Sequence, residues 1–203
     1  MKLSMTRNPT ANIHGSRLVP KMRHWSCGRT VAALLRSTVS TGLFAHRDQE
    51  RDFRIWIAGA QEKTALLRHT QATRTRELIE ASGRFALPLP CVAQARLTVA
   101  VGTHSAREMP DKLGRLGVPI FRASGHELPL VQGWVGWLVC RLLPEPHNQQ
   151  AYGLFIGQVE ATWADERVFY QGRWHFDQAP DDLRTLHHVA GGQFIVAGGT
   201  VQG

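Results

Sequence analysis

The chain has 203 residues, of which 43% are hydrophobic and 20% charged, and its formal net charge is +8 at pH 7. This length and composition are typical of one soluble globular domain. No stretch approaches the roughly 18 consecutive apolar residues of a membrane helix, and the N-terminus lacks the apolar region of a secretory signal. Neither a membrane partner nor secretion is therefore expected.

The positive charge is confined to one part of the chain. Residues 1–84 hold 15 Lys and Arg against 6 Asp and Glu, a net charge of +9, whereas residues 85–203 have a net charge of −1. A basic segment could form a nucleic-acid-binding module, and that alternative stays open. Because the arginines lack interleaved aromatic residues and a groove-reading helix, nucleic acid is not the expected partner.

The cysteines indicate the compartment. Cys27, Cys91 and Cys140 are odd in number and widely spaced, which argues against a disulfide framework and a zinc cluster. We therefore expect buried thiols, no bound metal and a reducing, cytoplasmic environment.

Taken in chain order, local patterns predict many short strands and a few short helices. Residues 1–22 are interpreted as an N-terminal arm and 23–203 as a single domain in which 23–64 is atypical, because that stretch shows neither helical nor strand periodicity. Strands are predicted at 54–58, 84–89, 119–122, 132–143, 154–163 and 168–170, helices at 65–68, 74–81 and 111–116, either type at 30–36 and 93–101, and a loop at 144–150. Together these elements indicate a small β-barrel decorated with helices.

The opening of the helix at 74–81 is a candidate anion site. Thr73 is a plausible N-cap, and Thr73, Arg74 and Thr75 together offer hydroxyl groups and a guanidinium beside free helical N–H groups. The alternative is an ordinary basic helix N-terminus. A second candidate is the loop that carries Ser105, Asp111 and Lys112, although such a pattern is more often a solvated surface.

The third candidate is the pair His187 and His188, followed by Gly191 and Gly192. Histidine could orient a ring-shaped ligand, and paired glycines let the backbone approach a flat group. The alternative is a half-buried structural pair. A metal site is disfavoured because adjacent residues of a strand point to opposite faces and no cysteine or carboxylate has ligand spacing with these histidines.

Several ordered motifs together resemble one family. The segments FIGQVEA (155–161), VFYQGRW (168–174) and LHHVAGGQF (186–194) are similar to the C-terminal half of the flavin reductase-like proteins, and TRELIEASGRF (75–85) and the loop 102–113 resemble further family segments. Ala106 stands where the family has glycine, and Pro88 replaces an asparagine. The resemblance covers about residues 73–194 and does not include 23–64. A reading-frame slip in 23–64 is one hypothesis for this, which resequencing would test.

The resemblance implies a mainly β fold, a split β-barrel of the Greek-key, FMN-binding type with a few short helices. It implies FMN, or FAD, as cofactor, hydride transfer from NADH or NADPH, and a homodimer. It also implies that Thr73, Arg74 and Thr75 bind the flavin phosphate and that Ser105, Asp111 and Lys112 belong to a loop closing the site. His188, and after it His187, would contact nicotinamide or flavin. A flavin-binding electron carrier without reductase turnover is the alternative.

Overall fold

The fold is organised around one long strand, β8 (Leu154–Asp165), in an antiparallel sheet. The computed structural model describes residues 74–203 and, before them, the backbone of three strands, β1 (Met22–His24), β2 (Ile55–Ala58) and β3 (Thr64–Arg68). The elements that follow are α1 (Arg74–Ser82), β4 (Arg84–Leu89), α2 (Ala95–Thr103), α3 (Lys112–Arg115), β5 (Ile120–Phe121), β6 (Leu130–Val131), β7 (Gly136–Leu143), α4 (Pro146–Tyr152), β8, β9 (Phe169–Tyr170), β10 (Arg173–Trp174), β11 (Leu186–His188) and β12 (Phe194–Val196).

The main sheet has the strand order β2-β3-β8-β7-β4, and β1 also pairs with β8. Strand β7 runs beside almost the whole of β8, from the pair Gly136–Ala164 to the pair Leu143–Ile156. The register shifts between Val139 and Cys140, so that a β-bulge interrupts the ladder. A bulge reverses the face to which the following residues point, and β8 therefore buries side chains on both faces of the sheet.

The two faces of the sheet carry separate apolar cores. One face packs Phe85, Leu138 and Phe155 beneath Ile79 of α1. The other face packs Trp137 and Trp163 with Trp134, and the segment around β5 and β6 covers them. Trp137 is fully buried, and its indole N–H donates to the carbonyl oxygen of Val131 at 2.9 Å. Burial of these large side chains is the main stabilising contribution to the sheet.

Most of the predicted elements are confirmed. Strand β2 lies within the predicted segment 54–58, helix α1 matches 74–81, and the ambiguous segment 93–101 is largely helix α2. Gly83 ends α1 with a φ of +65°, and its N–H donates to the carbonyl oxygen of Ile79 at 2.8 Å. The segment 30–36, and the proposed arm except Met22, lie outside the described residues.

Two predicted elements are wrong. Residues 65–68 are not helical, because β3 pairs with both β2 and β8 and this tertiary pairing outweighs the helix propensity of Ala and Leu. The segment 144–150 is not a loop, because Pro146 begins helix α4 and Gly153, at a φ of +60°, ends it. Proline in the first turn and glycine after the last turn are typical of helix boundaries, so these two residues delimit a helix.

The fold is mainly β, as predicted, and its described helices have at most nine residues. Within residues 74–203 and the three earlier strands, no helix is long and apolar enough to cross a membrane.

Cys91 and Cys140 are free and buried, as predicted, whereas Cys27 lies outside the described residues. Burial raises the pKa of the Cys91 thiol from 9.0 to about 11, and burial also raises the pKa of Cys140. Both thiols are therefore neutral and unreactive at neutral pH.

Ionisation of Cys91 is expected to destabilise the protein at alkaline pH. The pKa of this thiol is about 11 in the folded protein and 9.0 in the unfolded chain. The stability that the neutral buried thiol provides is therefore present in full below pH 9 and is lost as the pH rises towards 11. The difference between pKa values of 9.0 and about 11 corresponds to a loss of at most about 3 kcal/mol once the thiol is ionised in both states. Urea unfolding at pH 8 and pH 10.5 would measure it, and Cys91→Ala should show a smaller drop between the two pH values than the wild type. An identical drop in both proteins would contradict the assignment.

Candidate functional site

The opening of α1 carries an ion-pair cluster that reaches a distant loop. Arg74 donates from Nη1 to Glu77 Oε2 at 2.8 Å, and Arg107, 30 residues further along the chain than Glu77, donates from Nη2 to Glu77 Oε1. Hydrogen bonds from Arg74 and then Arg107 hold the pKa of Glu77 below its usual value. Thr75 is exposed beside this cluster, and Thr73 lies outside the described residues. The structure thus joins the predicted anion site to the loop that follows α2.

That loop, residues 104–111, is held by the residues that the sequence singled out. Ser105 Oγ accepts the N–H of Arg107 at 3.2 Å, and the Ser105 carbonyl oxygen accepts the N–H of Met109 at 2.9 Å. The carboxylate of Asp111 lies against Gly114, where a Cβ would be 2.6 Å from Oδ1. Ser105 therefore shapes the start of the loop, and Asp111 packs against the short helix α3 at its end.

Lys112 connects the end of this loop to the end of α2. Its Nζ donates to the carbonyl oxygens of Val101 at 3.2 Å and His104 at 3.0 Å, at the C-terminal end of α2. A cation there compensates the carbonyl dipoles that a helix leaves without partners. Partial burial lowers the pKa of Lys112. Two of the three ammonium donors are thus engaged by the backbone.

Arg107 is a site residue that the sequence prediction did not select. The arginine was visible within the loop motif, but its distance from Glu77 along the chain gave no sign of their contact. Ala106, where the resemblance implied glycine, needs no unusual backbone, since Gln171 is the one non-glycine residue with positive φ among those the structure describes. The alanine therefore does not prevent the loop from forming.

His187 and His188 lie on β11, in a hairpin with β12. Both side chains are half-buried, and the ring of His188 contacts Phe194 edge-on, with 5.4 Å between the ring centroids. Gly191 and Gly192 have φ values of +57° and +82° and form the tight turn of this hairpin. Residues with side chains rarely adopt such φ values, so the geometry of the turn explains why two glycines occur here.

Helix α2 connects the histidine hairpin with the loop. A Cβ on Gly192 would lie 3.8 Å from Val99 in the middle of α2, and the N–H of Val92, just before α2, donates to the carbonyl oxygen of Arg184 at 3.0 Å. The other end of α2 is the one that Lys112 caps. The turn of the histidine hairpin thus lies near the middle of α2, and the loop that carries Arg107 follows the end of the same helix.

No group of three or more His, Cys, Asp and Glu residues with metal-binding geometry occurs in the part of the chain that the structure describes. Most of the arginines behind the nucleic-acid alternative precede residue 74 and lie outside it.

Comparisons with known proteins agree with the motifs. Residues 63–179 match the family model described as flavin reductase like domain. The uncharacterized protein YddH of Escherichia coli (strain K12) is 43% identical over 129 residues, which are 63% of this chain and 67% of that protein. The family match begins at residue 63, in agreement with the departure of residues 23–64 from the family pattern.

Two solved structures share the fold. An FMN-binding domain of a flavin reductases-like enzyme from Shewanella baltica OS155 is 37% identical with a TM-score of 0.81, and the match covers 92% of this chain and all of that one. Flavoredoxin of Desulfovibrio vulgaris (Miyazaki F) is 16% identical with a TM-score of 0.63, covering 96% and 97% of the two chains, and shows the common fold alone. The predicted split-barrel fold is thereby confirmed, and the chain belongs to the flavin reductase-like family.

Proposed function

We propose that this protein is a flavin-dependent oxidoreductase that binds FMN and passes hydride from NADH or NADPH to the flavin. Membership of the flavin reductase-like family supports an oxidoreductase, and the Shewanella relative is an FMN-binding domain. The observation that carries the proposal is the convergence of Arg74 and Arg107 on Glu77, which places two guanidinium groups where α1 begins.

This arrangement fits the phosphate of a flavin nucleotide. A guanidinium has five N–H donors, so Arg74 retains donors beyond the one it gives to Glu77. The first N–H groups of α1 have no helical partners, and Thr73 and Thr75 would add hydroxyl donors beside them. Ser105, Asp111 and Lys112 support the loop that would close this side of the site.

When bound, the flavin supplies the hydride chemistry, and the protein contributes binding and orientation. The proposed contacts to nicotinamide or flavin are His188 and then His187, whose imidazoles are half-buried on β11. A homodimer is part of the proposal, supported by the exposed apolar residues Val189, Ile195 and Val196 on the same hairpin.

The visible spectrum of purified protein, after incubation with FMN and gel filtration, tests the proposal. We expect retained flavin near one per chain, followed by steady oxidation of NADH or NADPH with free flavin as acceptor. Arg74→Ala should weaken FMN binding on the order of tenfold, because it removes one charge-assisted contact to phosphate. Arg96→Ala, an exposed arginine on α2, is the matched control and should bind FMN like the wild type.

The outcomes separate the alternatives. Flavin retention without NADH or NADPH oxidation would favour an electron carrier. A colourless protein that binds nucleic acid with steep salt dependence would contradict the proposal and favour the basic binding module.

A further inference from the structure

Glu77 joins the two arginines, because its carboxylate contacts both of them. Its two carboxylate oxygens are divided between them, Oε2 to Arg74 at 2.8 Å and Oε1 to Arg107. Arg74 belongs to α1 and Arg107 to the loop after α2, so a single side chain bridges two separate segments. The three side chains are between 41% and 50% exposed.

Such exposure makes a purely stabilising role a poor explanation. Ion pairs between solvent-exposed side chains contribute little to folding, because water screens them and because ordering long side chains costs entropy. What the bridge does achieve is geometric. Two like-charged guanidiniums from different segments would otherwise repel and move independently, and the shared carboxylate holds them side by side.

We propose that Glu77 is a positioning residue that holds Arg74 and Arg107 as a pair for the phosphate monoester of the cofactor, so that the site selects FMN over riboflavin and FAD. This inference rests on the proposed function. The cluster carries a net charge of +1 and keeps most of its guanidinium N–H groups for a ligand. It is therefore suited to an anion with several unesterified oxygens.

The chemistry of the three flavins explains the selection. A phosphate monoester carries a charge between −1.5 and −2 near neutral pH and has three terminal oxygens, so two planar guanidiniums can each donate to it in pairs. Riboflavin has no phosphate. In FAD each phosphorus of the diphosphate bridge has two free oxygens and carries a single negative charge, so it offers each guanidinium less than a monoester does.

The chain offers a matched control on the same helix. Glu80 pairs with Arg76 at 2.9 Å, one turn after Glu77, and Arg76 also lies over the ring of Phe155 with 5.3 Å to its centroid. Glu80→Gln therefore removes a carboxylate from α1 by the same substitution without touching the loop. Any general effect of lost charge or helix stability should occur in both variants.

The experiment measures dissociation constants for FMN, FAD and riboflavin by flavin fluorescence, in the wild type, Glu77→Gln, Glu80→Gln, Arg107→Ala and the Glu77→Gln/Arg107→Ala double variant. Glu77→Gln should weaken FMN binding on the order of tenfold and change riboflavin binding less than about twofold. Glu80→Gln should match the wild type. The double variant should bind FMN less weakly than the two single effects combined predict, because part of the effect of Glu77 acts through Arg107.

Retained riboflavin binding in Glu77→Gln shows that the variant is folded, so an unchanged or tighter FMN affinity in it would overturn the inference and leave the proposed function intact. Wild-type protein that binds FMN no better than riboflavin would also overturn the inference alone. Wild-type protein that binds none of the three flavins would overturn the proposed function, and the positioning role with it.

Discussion

Replacing Gly157 with alanine is expected to lower the free energy of unfolding by about 3 kcal/mol, at the upper end of typical overpacking effects. Gly157 lies in the N-terminal half of β8, where β3 and β7 pair with this strand on either side. A Cβ at this position would overlap the Phe85 ring and lie 3.0 Å from the Cβ of Cys140. Phe85 is 5% exposed and packed in the core, so its ring has no free space into which it could move.

Urea unfolding of Gly157→Ala beside the wild type measures this effect. Gly199→Ala is the matched control, because an added Cβ there has no neighbour within 4 Å, and its stability should change by less than about 0.5 kcal/mol. Phe85→Leu should partly restore stability to the Gly157→Ala variant by removing the obstructing ring. Wild-type stability in Gly157→Ala would mean that β8 and β4 are further apart than the structure places them.

The alternation in β8 shows where sequence reasoning reaches its limit. The pattern places Phe155, Gly157, Val159 and Ala161 on one face. The structure places Phe155 and Val159 in one core and Gly157 against Phe85 of the same core, but Ala161 is packed in the opposite core with Trp137 and Trp163. The bulge opposite Val139 and Cys140 causes the change, since one extra residue inverts the face of those that follow. No local sequence signal marked that bulge.

Elements with their own local signals were predictable. The turn that joins β9 to β10 has φ values of +50° at Gln171 and +76° at Gly172, and glycine is a local signal for such a turn. Helix α1 was recognisable from Glu77 in its first turn and Gly83 at its end. Strand β3 was not, because its conformation is determined by pairing with β8, which lies about 90 residues later in the sequence.

The candidate site follows the same division. Motifs identified Arg74, Ser105, Asp111 and Lys112 as candidate site residues. The structure brings Arg74 close to the loop that Ser105, Asp111 and Lys112 support. The contact that joins them, from Arg107 to Glu77, is tertiary and spans 30 residues. A sequence motif can indicate which residue types serve a phosphate, but it does not show which carboxylate arranges them.

Arg167→Met is expected to lower the free energy of unfolding by about 2 kcal/mol at pH 7. Asp165, at the end of β8, is 1% exposed, and its carboxylate accepts hydrogen bonds from Arg167 Nε at 3.0 Å and Nη2 at 2.6 Å. The same pairing raises the pKa of Arg167. Residue 167 also donates its backbone N–H to this carboxylate, at 2.9 Å. Of the hydrogen bonds from residue 167, this one would remain after the guanidinium is removed. A buried charge without its counter-ion typically costs 3–5 kcal/mol, and the smaller value allows for Arg167 being 57% exposed.

A double-mutant cycle distinguishes the loss of the charge pair from the loss of side-chain packing. Asp165→Asn/Arg167→Met should be less destabilised than the sum of the two single variants by at least about 1 kcal/mol, because the double variant buries no uncompensated charge. Arg96→Met, on the exposed face of α2, should unfold like the wild type in the same urea titration. Additive effects of the two substitutions would contradict the electrostatic explanation. Because methionine largely retains the aliphatic stem of Arg167, loss of stem packing alone should leave Arg167→Met close to wild-type stability.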